Sequence, residues 1–131
     1  MRVLIAGAHY FAMVFVAAFA FGTVRTFVLE PRVGETWAVA CEAPFLIAAM
    51  IIVAHIVIPR VKPPTDAASL LGVGAIGLVL QEVAEFGLIY ASGETAADHI
   101  AYLQTPAGMI YLAALVAFLL TPFVLFRGRA L

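Results

Sequence analysis

Four stretches of this chain are apolar for about as long as an α-helix must be to cross a bilayer, and this leaves few folds open. They cover residues 3–29, 37–58, 70–91 and 106–126. Each is close to the roughly 20 residues needed to span about 30 Å of hydrocarbon. None alternates apolar with polar residues as a membrane β-strand would. Composition agrees: 65% of the 131 residues are hydrophobic, 11% are charged, and mean hydropathy is +1.11. A soluble domain carries about 25% charged residues and about 45–50% apolar ones. The expected fold is therefore all-α: a single polytopic domain, residues 1–131, with four transmembrane helices in one bundle and the lipid bilayer as its solvent.

The punctuation supports these limits. Pro31 and Gly34 interrupt the chain after the first segment, and Pro59, Pro63 and Pro64 follow the second. Thr105 before Pro106 reads as an N-cap followed by a first-turn proline, opening the fourth. Ala18-Phe19-Ala20 resembles a leader cleavage site, but the apolar run continues past it, so a retained helix is expected. Between the third and fourth segments, Ala96, Ala97, Ile100 and Leu103 share one helical face, so residues 92–104 read either as a short interfacial helix or as a plain loop. His99, within that loop, is expected to be solvated.

Four crossings put both termini on one side. That side holds Arg2, Arg60, Lys62, Arg127 and Arg129. The other holds Arg25, Arg32 and the acids Glu30, Glu35, Glu94 and Asp98. The positive-inside rule then places both termini in the cytoplasm. Trp37, Tyr90, Tyr102 and Tyr111 lie near the opposite interface, as an aromatic belt would. The net charge of −1 and the lack of a basic arm argue against a nucleic-acid partner. Cys41 is the single cysteine, which excludes an internal disulfide and CxxC chemistry. No nucleophile–base pair, phosphate loop or zinc signature occurs, so no enzymatic activity is expected.

The informative residues are the charges inside the apolar segments. Arg25, Glu42, Glu82 and Glu85 each cost about 2.5–3.5 kcal/mol in lipid on insertion scales, so they should face the bundle interior. At about 1.5 Å of rise per residue, Arg25, Glu42 and Glu85 come to a similar depth in the half away from the termini, with Glu82 one turn deeper. Gly7, Ala18 and Gly22 lie near the Arg25 stripe. Ala38, Ala49 and Val53 share that of Glu42, and Gly74 and Gly77 adjoin the glutamates. Small residues allow close helix approach, so the charged faces should be the packed ones. An Arg25–Glu42 ion pair is expected. Glu82 and Glu85 then have no cation of their own, and a carboxyl must carry a proton, or a cation or water must reach the site.

Other signals are weaker. His9 and His55 lie near the same boundary on the first two helices and form a minor candidate pair for haem or metal. No further haem signature accompanies them, and no cofactor is expected. Glu82-Val83-Ala84-Glu85 lacks the histidine of a Glu-x-x-His metal motif, so no metal centre is expected either. Pro44 deprives the Ala40 carbonyl of its donor beside Glu42, which invites a bend there.

Gly22-Thr23-Val24-Arg25, the run Glu30-Pro31-Arg32-Val33-Gly34-Glu35, Glu42-Ala43-Pro44, Gly108-Met109-Ile110-Tyr111 and Thr121-Pro122 together resemble a pattern in small four-helix membrane proteins of proteobacteria. The resemblance implies a bacterial inner-membrane location and that Arg25 and Glu42 belong to a shared pattern. It implies no activity. Two function classes compete, and a third rests on one pair of residues. The first is a structural or accessory component of a larger membrane complex. The alternative is a proton- or cation-coupled small-solute transporter acting as a homo-oligomer. The third, a haem-carrying electron-transfer protein, rests on His9 and His55 alone.

Overall fold

A computed structural model describes all of residues 1–131. The chain forms five helices and no strands: α1 (Arg2–Val33), α2 (Glu35–Val61), α3 (Ala67–Ala91), α4 (Ala96–Leu103) and α5 (Pro106–Phe126). All but α4 are long and apolar enough to cross a membrane. This is a multi-pass membrane protein built as a bundle of four spanning helices. Its outer faces carry bare apolar side chains such as Phe19, Phe45, Val79, Val83, Val116 and Val124. Such a surface is stable only in contact with lipid.

The helix limits depart from expectation at two prolines. Pro31 does not end α1. Residues Arg25–Leu29 form a π turn, in which the Glu30 N–H donates to the Arg25 carbonyl. Pro31 thereby falls in the first turn of a new α-helical register, where a missing N–H costs nothing. The break comes at Gly34 alone, whose φ of 86° lies in the left-handed region. Pro59 does not stop α2 either; the helix continues to Val61 and ends at Lys62, itself left-handed with φ 55°. The helix also runs unbroken through Pro44. At the start of α3, Asp66 is an N-cap, its carboxylate accepting the Ser69 N–H at 3.1 Å.

The spanning helices pack as a ring: α1 touches α2 and α3, and α5 touches the same two, so α1 faces α5 across the centre. One apolar core fills the half nearest the termini. It includes Tyr10 and Val14 of α1, Val53 and Ile58 of α2, Leu70 and Val73 of α3, and Phe118 and Phe126 of α5. Gly74 permits its tightest contact, since a Cβ there would collide with the Leu119 backbone carbonyl of α5.

Tyr10 crosses the centre of the ring. Its ring stacks on Phe118 at 4.5 Å between centroids, and its hydroxyl donates to the Phe118 carbonyl at 2.6 Å. That carbonyl would normally be served by the N–H of residue 122, which is proline. The tyrosine hydroxyl replaces the donor that Pro122 removes.

Candidate functional site

At the end away from the termini, called distal below, the helices enclose a cleft of about 890 Å³ in place of a core. Its deepest walls include Phe15, Leu46 and Gln81, and its mouth is lined by Glu30, Glu35, Glu94 and Asp98. The Tyr10–Phe118 stack lies beyond its floor. Six carboxyl side chains line it, namely Glu30, Glu35, Glu42, Glu85, Glu94 and Asp98, against the single guanidinium of Arg25.

Arg25 occupies one wall, at the start of the π turn. Its Nε lies 3.1 Å from Glu42 Oε2 and 3.6 Å from Glu30 Oε1. Glu42 is 9% exposed and Arg25 25%. The expected pairing at matched depth is present. Neither Nε nor Oε2 completes a hydrogen bond by direction, so the contact is a charge pair with imperfect alignment. Such turns often mark functional positions in helices, and here the π turn brings Arg25 and Glu30 into the same charge cluster.

The opposite wall holds Glu85. Glu85 accepts a hydrogen bond from the Tyr111 hydroxyl of α5. His99 Nε2 stands 3.7 Å from Glu85 Oε1. The expectation that His99 is solvated is wrong: the residue is only 6% exposed. The cause is α4, which packs on α5 where Gly108 lets the Tyr102 and Leu103 backbone approach closely. The helix opens with a capping box: Thr95 Oγ1 accepts the Asp98 N–H, and the Asp98 carboxylate accepts the Thr95 N–H. Hydrogen bonding of the carboxylate by the Thr95 backbone first and the Thr95 side chain second holds the Asp98 carboxyl below its usual range. His99 is then walled by Phe86, Tyr102 and Tyr111. Burial pushes the Tyr102 phenol above its ordinary value; Arg25 opposes this, while Glu35, Glu30 and Glu42 add to it.

Glu82 lies on the same side of α3, partly buried, with Oε1 buried and without a hydrogen-bond partner. It lines a shallow lateral groove with Leu78, Val79, Val83 and Phe86 rather than the cleft itself. The four intramembrane charges thus form two groups: Arg25 with Glu42 and Glu30, and Glu85 with Glu82, His99 and Tyr111. Sequence reading found the acids and missed His99 and Tyr111 as their companions. The signal was present in Thr95-x-x-Asp98, a short capped helix that carries His99 inward.

His9 and His55 belong to neither group. Each is exposed, and each ring Nδ1 bonds a carbonyl of its own helix four residues back, Ile5 at 2.9 Å and Ile51 at 2.8 Å. His55 also packs on Phe126. Neither lines the cleft.

Comparison with known protein families, curated proteins and solved structures finds no match to this chain. The class is therefore defined by the fold and the cleft alone: a small multi-pass membrane protein with a charged pocket at one end of its bundle.

Proposed function

We propose that this protein is a proton- or cation-coupled transporter of a bacterial inner membrane, working as a homo-oligomer, with both termini cytoplasmic and the distal cleft facing the periplasm. The observation that carries this reading is the charge balance of the cleft. Six carboxyls face one guanidinium, and that guanidinium is already engaged by Glu42 and Glu30. An anionic pocket with low-dielectric walls concentrates cations and protons. Intramembrane acids at its base are the usual means of holding them.

The shape supports the same reading. The cleft enters from one end, and the other half of the bundle is closed by packed side chains around Tyr10. A site open to one side and sealed to the other matches one state of an alternating-access device. Four helices enclose too little space for a path to both sides, so the second state requires neighbouring copies. The basic residues at the termini end support the orientation, and the resemblance to small membrane proteins of proteobacteria supports the location.

The test is reconstitution into proteoliposomes loaded with a pH-sensitive dye. External mono- or divalent cations should drive a lumenal pH change that Glu85→Gln abolishes. If no cation moves protons, and the protein instead leaves the membrane in mild detergent with a stoichiometric partner, the chain is an accessory subunit and the transport reading fails.

A further inference from the structure

We propose that Glu82, Glu85 and His99 form a binding site for a first-row divalent transition-metal cation, of which Zn²⁺ is the reference. The donor atoms come from two elements, a carboxylate pair one turn apart on α3 and an imidazole on α4, and all lie within 4.8 Å of one another. A metal with Zn–N and Zn–O distances of about 2.0–2.2 Å sets its donors roughly 3.4 Å apart in tetrahedral geometry. Closing this set onto an ion asks for movements of about an ångström, within the reach of rotamer adjustment.

Two independent observations point into the same gap. The His99 ring is 6% exposed, and its Nε2 stops 3.7 Å from Glu85 Oε1, short of a hydrogen bond. Glu82 Oε1 is buried and has no partner. A buried imidazole short of a hydrogen bond to Glu85 and a buried, unpartnered oxygen of Glu82 belong to one cluster, and a cation would meet that shortfall. Charge agrees, because a divalent ion neutralises the two carboxylates that Arg25, engaged by Glu42 and Glu30, leaves uncompensated.

The donor chemistry selects the metal. Imidazole nitrogen suits zinc and its neighbours, whereas magnesium and calcium prefer all-oxygen sets. Tyr111 provides the outer support such sites need: its hydroxyl fixes one oxygen of Glu85 and leaves the other facing His99. Phe86 and Tyr102 flank the ring and limit water.

This inference deepens the reading of the cleft as a cation site and rests on it. The experiment is equilibrium binding in detergent, so that a protein that binds metal without moving protons separates the two. The purified full-length chain is stripped with chelator and titrated with Zn²⁺, and in parallel with Mg²⁺. One Zn²⁺ per chain is expected, with no comparable Mg²⁺ binding, and X-ray absorption should show mixed nitrogen and oxygen donors. His99→Ala and Glu85→Gln should each weaken Zn²⁺ binding at least about 10-fold, the scale set by loss of outer-shell support alone. Tyr111→Phe keeps all three donors and should weaken binding by about 10- to 100-fold. His99→Cys, which supplies another zinc ligand, should recover what His99→Ala loses, and this guards against a merely misfolded variant. Absence of Zn²⁺ binding by the wild-type chain overturns the proposal. So does unchanged affinity in His99→Ala, or equal binding of Mg²⁺.

Discussion

The two halves of this bundle solve the same problem in opposite ways. Near the termini, four apolar helix faces meet in one continuous core, and the few polar groups there serve the backbone: Tyr10 supplies Phe118 with the donor that Pro122 lacks, and Thr121 bonds the Ala117 carbonyl. At the distal end the same four helices enclose a cleft, and the buried polar groups pair with one another along its walls: Arg25 with Glu42 on one, and Tyr111 and His99 with Glu85 on the other. In lipid, apolar burial does not itself drive helix association, because hydrocarbon is as good a solvent as the neighbouring helix. The closed half is therefore held by close packing and satisfied carbonyls. The open half is held by charge pairs, and it encloses the cleft.

The sharpest way to break this comparison is to remove the cation from the distal half. Arg25→Ala leaves Glu42, only 9% exposed, without its partner. Breaking a buried pair from one side costs about 3–5 kcal/mol, mostly from the stranded charge. Thermal unfolding in detergent should show a large loss for Arg25→Ala, much of it recovered when Glu42→Gln is added. Equal stability of the wild type, both single variants and the double variant would mean that charge does not hold this half together.

A smaller effect is expected in the closed half. Tyr10→Phe keeps the stacking on Phe118 but leaves that residue's carbonyl buried without a donor, at a cost of about 1–3 kcal/mol. Pro122→Ala restores a backbone donor to the same carbonyl. In that background the loss of the Tyr10 hydroxyl should cost clearly less. An identical cost in both backgrounds would show that the hydroxyl does not stand in for the proline's missing N–H.

The two halves were also unequally legible in the sequence. The spans follow from length and hydropathy alone, and Arg25 and Glu42 could be paired because an intramembrane charge must find its opposite at its own depth. Helix order around the ring was not legible: where one face meets lipid and the other meets protein, both are apolar, and no amphipathic pattern separates them. The limit at Pro31 is not legible because the π turn before it places the proline where no N–H is needed, whereas at Pro59 the helix runs on to Val61 despite the missing donor. The burial of His99 is not legible because it is a tertiary event, produced by the docking of α4 on α5 around Gly108.

That docking leads to the smallest and most local prediction. Asp98 at the distal end and Asp66 at the other are both exposed helix caps held below their usual carboxylate range, Asp98 first by the Thr95 backbone N–H and Asp66 first by the Ser69 hydroxyl. A group whose folded value is depressed stabilises the fold above its unfolded value, near pH 4, and loses that contribution as pH falls through the folded value. Both caps should therefore weaken together below about pH 4, with different consequences. Asp66 starts a helix of 25 residues locked at Gly74, so only the first turn of α3 should fray. Asp98 completes the capping box of a helix of eight residues, too short to persist without its cap and its docking. Amide exchange, corrected for intrinsic rates, should show protection falling along all of α4 and only at the first turn of α3. Thr95→Ala should reproduce the α4 loss at neutral pH. If α4 stays protected through pH 3, its hold on the bundle comes from the contact at Gly108 and not from the capping box. The position of His99 beside Glu85 would then be independent of the acid groups at the mouth of the cleft.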